Sequence, residues 1–178
     1  MVILITGASH TGKTMLAQKM LERYRFPYLS IDHLKMGLIR SGYTGLTPND
    51  DRALTEYLWP VVREIVKTAV ENDQSLIVEG CYIPFHWRLD FDGQYALFIR
   101  FICLAMSGNY IEDHFDAITA HGSDIESRSA DQGISIESLK ADNDYYRVGF
   151  QSAGEQVTLI ESDYEQTVKG LVDRLSIE

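Results

Sequence analysis

Eight residues near the start of the chain combine glycine, lysine and hydroxyl side chains in a spacing that suits phosphate binding. Residues 7–14 read Gly-Ala-Ser-His-Thr-Gly-Lys-Thr, so that four residues separate two glycines and lysine and threonine follow. Glycine permits a tight turn whose backbone N–H groups point inward toward phosphate oxygens. The Lys13 ammonium supplies a positive charge for the β- and γ-phosphates, and the Thr14 hydroxyl is a ligand for Mg²⁺. The spacing therefore predicts a site for ATP or GTP with magnesium.

The segments on either side of this loop favour a phosphate site over a chance glycine turn. Residues 2–6 form a short apolar run typical of a buried parallel strand, and residues 15–24 carry apolar side chains at helical spacing. A loop in this position presents its N–H groups at a helix N-terminus, where anions bind. We therefore expect nucleotide contacts from the whole loop: Gly7, Ala8, Ser9, His10, Thr11, Gly12, Lys13 and Thr14. The side chain of His10 is expected to point away from the phosphates.

Two carboxylates follow the next apolar runs, at strand ends that should face the loop. Asp32 could bind the acceptor and take the proton of its attacking hydroxyl, or orient Mg²⁺ through water. The alternative is a helix N-cap, a position that Asp favours, although Ser30 could cap instead. Glu79 follows residues 75–78 and could bind Mg²⁺ through water or hold the hydroxyl of the acceptor. The alternative for Glu79 is a strand-end acid that caps the next turn.

Basic and aromatic residues near these carboxylates are candidates for binding the acceptor. Arg40 ends the helical stretch after Asp32 and is the best candidate for holding an anionic acceptor. His33 and Lys35 are weaker candidates, and a solvated surface position is the alternative for all three. A cluster of aromatic residues after Glu79 either lines an acceptor pocket, with Tyr82 as its substrate-binding member, or packs on the sheet. The cluster comprises Tyr82, Phe85, His86 and Trp87.

Residues 122–133 are polar and fall between two helical stretches before the last predicted strand. In a phosphotransferase this is the place of a lid that closes over the phosphates and excludes water. Arg128 is the only cation between Arg100 and Lys140. We expect Arg128 to stabilise charge on the transferring phosphoryl group, with Arg147 as a second catalytic candidate. An ordinary surface loop is the alternative.

The composition is that of one globular domain over residues 1–178, with 45% hydrophobic and 24% charged residues. A net charge of −10 and the lack of a basic stripe oppose binding to nucleic acid. No apolar run reaches the roughly 18 residues of a membrane span, and the first strand leaves no room for a signal peptide. Cys81 and Cys103 lie in or beside apolar runs, so we expect reduced thiols. These features predict a cytoplasmic protein.

Alternating apolar runs and helical stretches predict an α/β fold with a parallel sheet. The predicted strands cover residues 2–6, 28–31, 75–78, 96–104 and 156–160. The longest helical stretch covers about residues 50–72, where Leu54, Leu58 and Val62 share one face. Pro60 lies inside this stretch and could kink or restart the helix. The nucleotide is then expected at the carboxyl ends of the strands.

Three segments in this order resemble the P-loop small-molecule kinases of the nucleoside and nucleotide kinase superfamily: residues 7–14, 30–32 and 76–80. The resemblance implies the three-layer P-loop NTPase fold, with five parallel strands in the order 2-3-1-4-5, helices on both faces and a small lid. The Ser-x-Asp-x-Leu pattern from Ser30 is similar to that of chloramphenicol phosphotransferase and zeta-toxin-type kinases, where the matching Asp is the catalytic base. The Val-Glu-Gly that ends at Gly80, with its aromatic sequel, resembles adenylate kinase-like and 2-phosphoglycerate kinase-like chains.

The resemblance implies a Mg²⁺-dependent enzyme that moves the γ-phosphoryl group of ATP to a hydroxyl or phosphate of a small molecule. In this family, base contacts come from the lid and from the loop after the last strand, here near residues 162–164. Adenylate kinases carry several arginines in and around the lid, whereas this segment has one, which keeps a neutral hydroxyl acceptor open.

Other functions are compatible with a sound phosphate loop. The main alternative is an ATP-binding hydrolase or switch protein without an acceptor, although the Asn-Lys-x-Asp motif of switch GTPases is absent. An inactive nucleotide-binding relic stays open, and the acidity opposes a nucleic-acid 5′-hydroxyl kinase. We expect a monomer or homodimer whose partners are a nucleotide and a small acceptor, with neither nucleic acid nor membrane.

Overall fold

A five-stranded parallel sheet forms the centre of the computed structural model, which describes residues 1–120 and 134–175. The strands are β1 (Val2–Gly7), β2 (Tyr28–Ser30), β3 (Leu76–Glu79), β4 (Ile99–Met106) and β5 (Val157–Ile160). They lie in the order β2-β3-β1-β4-β5, and every neighbouring pair is parallel. The strand order that the resemblance implied is therefore confirmed.

Helices connect successive strands and pack on the sheet. They are α1 (Lys13–Tyr24), α2 (Ile31–Arg40), α3 (Asp51–Glu71), α4 (Gly93–Ala96), α5 (Gly108–Ala120), α6 (Ile136–Ser152) and α7 (Tyr164–Arg174), with a short 3₁₀ helix at Trp87–Asp90. None of the helices described is at once long enough and apolar enough to cross a membrane.

Alternation along β1 divides the core between the two faces of the sheet. Val2 and Leu4 pack into a cluster that includes the inward face of α3. Ile3 and Ile5 point the other way, into a cluster with α1 and α7. All four side chains have no exposed surface, which is why the strand reads as a continuous apolar run. The arrangement is the predicted three-layer fold with helices on both faces.

Several predicted element boundaries differ from the observed ones by one to three residues. Strand β4 begins at Ile99 rather than at residue 96, because residues 93–96 form a helical turn that the Asp92 carboxylate caps. Strand β2 ends at Ser30, since Ile31 already begins α2. Pro60 does not interrupt α3, which is continuous through it. Pro60 is exposed, so water can reach the carbonyl oxygen that loses its N–H partner.

Candidate active site

The loop between β1 and α1 turns through backbone conformations that favour glycine. Gly7 has φ of +138° and Gly12 of +78°. A Cβ atom at Gly7 would lie 2.0 Å from the carbonyl oxygen of Leu104 in β4, so the neighbouring strand leaves no room for one. His10 also has a positive φ, 64°, which is uncommon for a residue with a side chain. Because the N-cap residue of α1 is Gly12, no cap side chain competes with an anion for the first N–H groups of the helix.

The Lys13 side chain lies over this loop rather than in solvent. Only 4% of Lys13 is exposed, and its Nζ donates a 2.7 Å hydrogen bond to the Ala8 carbonyl oxygen. The Thr11 hydroxyl donates to the same carbonyl oxygen at 2.8 Å. The ammonium is thereby held inside the ring of the loop, where a phosphate would lie.

Glu79 lies beside Thr14 at the carboxyl end of β3. It pairs with Ile5 of β1 in the sheet and is 1% exposed. The Thr14 hydroxyl donates to Glu79 Oε1 at 3.3 Å, and the Tyr28 hydroxyl donates to Oε2 at 3.2 Å. The predicted proximity of Thr14 and Glu79 is therefore observed, whereas the contribution of Tyr28 was missed.

The Thr14–Glu79 pair suits Mg²⁺ only with help from a ligand. A hydroxyl and a carboxylate are the oxygen ligands that this ion prefers, and Mg²⁺ usually completes its shell with water and substrate phosphates. Within residues 1–120 and 134–175, no three His, Cys, Asp or Glu side chains gather as a metal site. The donor set therefore fits an ion that arrives with a nucleotide.

Asp32 heads a chain of polar contacts between α2 and α3. Ser30 occupies the N-cap position of α2, so Asp32 lies in the first turn and is not the cap. Asp32 Oδ1 accepts a 2.5 Å hydrogen bond from Lys35 Nζ, and that ammonium also donates to the Tyr82 hydroxyl oxygen at 2.8 Å. The Tyr82 hydroxyl in turn donates to Asp51 Oδ1 at 3.4 Å. Lys35 is buried, so a solvated surface position is wrong for this residue.

Tyr82 is a neutral hydrogen-bond donor in this chain. Burial raises the pKa of Tyr82, and the nearby carboxylates of Asp32 and Asp51 raise it further. Its hydroxyl is therefore protonated at neutral pH. Because only 4% of Tyr82 is exposed, it can offer little surface to an acceptor.

The remaining aromatic residues after β3 pack against the sheet and α6. Trp87 is fully buried and stacks on Phe101 with a centroid distance of 5.1 Å. Phe85 meets Phe150 edge-on at 4.9 Å. His86 is exposed. For Phe85 and Trp87, packing is thus the better of the two interpretations.

Two polar contacts hold α6 across the strand ends. Asn143 is 2% exposed, accepts a hydrogen bond from Met106 N–H at 2.7 Å and donates to the Leu139 carbonyl oxygen at 2.8 Å. The Tyr146 hydroxyl donates to the Cys81 carbonyl oxygen at 2.9 Å. These contacts join α6 to the end of β4 and to the segment after β3.

The helix α6 brings a further carboxylate, Asp142, onto the loop. Asp142 Oδ2 accepts a 3.0 Å hydrogen bond from the Ser9 N–H. Burial raises the pKa of Asp142, and the Ser9 N–H and the Lys13 charge oppose that rise. Asp142 was not predicted from the sequence, because its contact with the loop spans 133 residues of chain.

The charges of the site act on the buried Cys81 thiol. Burial raises the pKa of Cys81; the charge of Lys13 opposes this, and the carboxylates of Asp32, Glu79 and Asp142 reinforce it. The strand register places Ser30, two residues before Asp32, opposite Glu79, and hydrogen bonds place Glu79 beside Thr14 and Asp142 beside Ser9.

The predicted arginines are not brought to the loop by contacts in the described parts of the chain. Arg40 is exposed at the end of α2. The Arg147 guanidinium donates to Asp144 of its own helix at 2.7 Å. Arg128 and the predicted lid, residues 122–133, lie outside the described residues. The catalytic roles of Arg128 and Arg147, and the acceptor role of Arg40, stay predictions.

The start of α7 lies against the other side of the loop. The Tyr164 hydroxyl donates to the Gly12 carbonyl oxygen at 3.2 Å, and a Cβ atom at Gly12 would lie 2.1 Å from that hydroxyl oxygen. Tyr164 belongs to the segment from which contacts to the nucleotide base were expected. Those base contacts stay a prediction.

Solved kinase structures share this fold over almost their whole lengths. Shikimate kinase from Bacteroides thetaiotaomicron is 16% identical, with a TM-score of 0.57 over 99% of this chain and 98% of the kinase. Deoxyadenosine kinase from M. mycoides is 14% identical, with a TM-score of 0.57 over 98% of each chain. Gluconokinase from Sinorhizobium meliloti is 14% identical, with a TM-score of 0.51 over 98% of this chain and 93% of the kinase. No protein-family model and no curated protein matches the sequence. The fold is that of the P-loop small-molecule kinases.

Proposed function

We propose that this protein, which has the fold of the P-loop kinases, transfers the γ-phosphoryl group of ATP to a hydroxyl group of a small molecule. The observation that carries the proposal is the convergence of a phosphate loop, a buried hydroxyl–carboxylate pair and a second carboxylate at the same strand ends. The loop contributes Lys13, the pair is Thr14–Glu79, and the second carboxylate is Asp32, which follows the β2 residue that pairs with Glu79. The solved neighbours, which are kinases named for small molecules, support this reaction class.

In the proposed reaction, the oxygen of the acceptor hydroxyl attacks the γ-phosphorus of ATP. The bond between the γ-phosphorus and the β–γ bridging oxygen breaks, and the hydroxyl proton passes to the Asp32 carboxylate. The products are ADP and a phosphate ester. The loop N–H groups and Lys13 stabilise the negative charge on the phosphates. Mg²⁺ held near Thr14 and Glu79 would neutralise further charge on the phosphate oxygens.

The charges around Asp32 favour a hydroxyl acceptor over a phosphorylated one. Lys35 is the cation in direct contact with Asp32, and that carboxylate already balances its charge. The next residues in the chain of contacts are a neutral tyrosine and another carboxylate, Asp51. A dianionic acceptor would meet more negative than positive charge there.

The test supplies γ-labelled Mg·ATP and fractions of a small-molecule extract to the purified protein, and follows the label. We expect one fraction to yield a labelled phosphate ester. Asp32→Asn should lose this transfer by about a hundredfold or more while it still binds ATP. Asp116→Asn, on the exposed surface of α5, is the control and should transfer normally. Release of labelled inorganic phosphate at a rate that no fraction changes would instead identify a hydrolase.

A further inference from the structure

The Ser9 N–H is engaged by a carboxylate of the protein itself. Backbone N–H groups of this kind of loop are the donors that phosphate oxygens use. Here the Ser9 N–H donates to Asp142 Oδ2 at 3.0 Å. The two residues are 133 positions apart in the chain, so this contact is made by the tertiary fold and not by local loop geometry.

The backbone of Asp142 is held in place from three sides. The next residue, Asn143, bonds the Met106 N–H at the end of β4, and Tyr146 bonds the Cys81 carbonyl oxygen. One turn further along α6, a Cβ atom at Gly149 would lie 2.3 Å from the Phe85 ring, so helix and ring are in close contact. If the carboxylate leaves the Ser9 N–H, the Asp142 side chain must therefore rotate while the backbone of α6 stays in place.

The charges that act on Asp142 come from three elements. Lys13 at the start of α1 and His10 in the loop favour the charged carboxylate, and Asp51 at the start of α3 disfavours it. The pKa values of Tyr146 and Cys81 are raised, first by burial and also by the charge of Asp142, so both groups are uncharged at neutral pH. An incoming phosphate would place a second negative charge near a carboxylate that is already half-buried, and the two would repel each other.

We propose that Asp142 is a specificity-determining residue of the nucleotide site, which selects metal-bound nucleotide over metal-free nucleotide. Its carboxylate holds the Ser9 N–H until phosphates arrive, and it then lies close to them. A nucleotide whose charge is partly neutralised by Mg²⁺ is repelled less than the same nucleotide without metal. This inference rests on the proposed function, because it assumes that the loop binds nucleotide phosphates.

The test compares two affinities, for ATP with excess Mg²⁺ and for ATP with a chelator, in the full-length protein by calorimetric titration. Asp142→Asn keeps an oxygen that can accept from Ser9 and removes the charge. We expect this variant to bind metal-free ATP about tenfold more tightly than the natural protein, and to bind Mg·ATP with a smaller gain. Asp142→Ala should also bind both forms of ATP more tightly, as Asp142→Asn does. Agreement between the two variants would show that the loss of charge, and not a new contact made by Asn, causes the gain. Asp116→Asn, on the exposed surface of α5, is the control and should leave both affinities unchanged.

The outcomes separate this inference from the proposed function. Suppose that the natural protein binds Mg·ATP, and that Asp142→Asn and the natural protein bind metal-free ATP equally tightly. The inference is then wrong and the proposed function stands. If neither protein binds ATP with or without metal, both are wrong. Weaker binding of metal-free ATP by Asp142→Asn and Asp142→Ala would show that Asp142 supports the phosphate site and would overturn the inference.

Discussion

Lys35 bridges Asp32 and Tyr82, and its position bears directly on how the proposed base is held. The Lys35 side chain is 11% exposed and that of Asp32 is 26% exposed, so the pair is shielded from competing water more than a surface ion pair. The ammonium also lies 5.0 Å from the centroid of the Tyr82 ring. These contacts fix the carboxylate of Asp32 in one orientation on the first turn of α2. Orientation of a catalytic group is a large part of its effect on rate.

Lys35→Met should therefore lower the rate of phosphoryl transfer by about tenfold or more and change ATP affinity little. The measurement is kcat and KM with the acceptor, together with a separate ATP titration. Lys67→Met is a matched control, because Lys67 pairs with Glu64 three residues before it and lies 5.9 Å from the Tyr95 ring. The two variants lose similar contacts, and only Lys35 is at the site. Equal rates in both variants would contradict a role for Lys35 in holding Asp32.

The contribution of Asp142 to the stability of the fold falls as the pH rises toward neutrality. Its pKa in the folded protein is raised above the ordinary value of 3.8. The folded state therefore binds this proton more tightly than the unfolded state does, and the resulting stability is present below pH 3.8 and is lost as the pH rises through the raised pKa. At neutral pH the charged form is a cost to the folded state.

Asp142→Asn should raise the midpoint of thermal unfolding by about 2 °C or more at pH 7, and the gain should shrink as the pH falls toward 4. The exposed Asp144→Asn should change the midpoint little at either pH. Thermal scans at both pH values check this. A lower midpoint for Asp142→Asn at pH 7 would mean that the carboxylate stabilises the fold.

The individual residues of the site were predictable to different degrees. Lys13 and Thr14 follow from a motif with fixed spacing, and Glu79 follows from its position after an apolar strand. Tyr28 and Asp142 could not be assigned, because each meets its partner across a long stretch of chain and neither belongs to a local pattern. A side chain that contacts a loop 133 residues away leaves no trace in its own neighbourhood of the sequence.

At the scale of elements, the loop depends on the close approach of β1 and β4. Gly7 pairs with Leu104, and the carbonyl oxygen of Leu104 occupies the space where a Cβ atom would lie. The backbone of Gly7 also lies at a positive φ that other residues rarely adopt. Both the β1–β4 pairing and the loop conformation thus require glycine at position 7.

Gly7→Ala should lower the free energy of unfolding by roughly 2 kcal/mol or more, since the methyl group and a main-chain oxygen cannot occupy the same space. Gly170→Ala provides the control. Gly170 lies inside α7 with open space around it, so alanine there should stabilise the protein by up to about 1 kcal/mol. Denaturant unfolding of both variants tests the difference. A Gly7→Ala protein as stable as the natural one would show that the strands are not this close.

The elements were predictable where periodicity was long and ambiguous where apolar runs were short. The 21-residue helix α3 matches its predicted extent closely, because its apolar face repeats over several turns. The start of β4 was wrong by three residues, since an apolar run cannot distinguish a helical turn from a strand. The strand order came from the resemblance, because apolar runs alone do not specify which strands pair.

At the scale of the whole molecule, the loop lysine lies among carboxylates in a protein that is acidic overall. The net charge is −10, and the described site contains the loop lysine beside several carboxylates. Overall charge of this sign repels free nucleotide, so binding must come from short-range contacts of the loop. The proposed function therefore requires, above all, that the loop binds the phosphates through Lys13.

The most direct test is a calorimetric titration of Mg·ATP into the natural protein, Lys13→Ala and Lys19→Ala. Lys19 lies on the same helix as Lys13 and pairs with Glu165 on the surface, so its loss should leave binding unchanged. We predict that the natural protein binds Mg·ATP and that Lys13→Ala weakens this binding by at least about tenfold. Binding by Lys13→Ala with the affinity of the natural protein, and equal ATP turnover, would contradict the account.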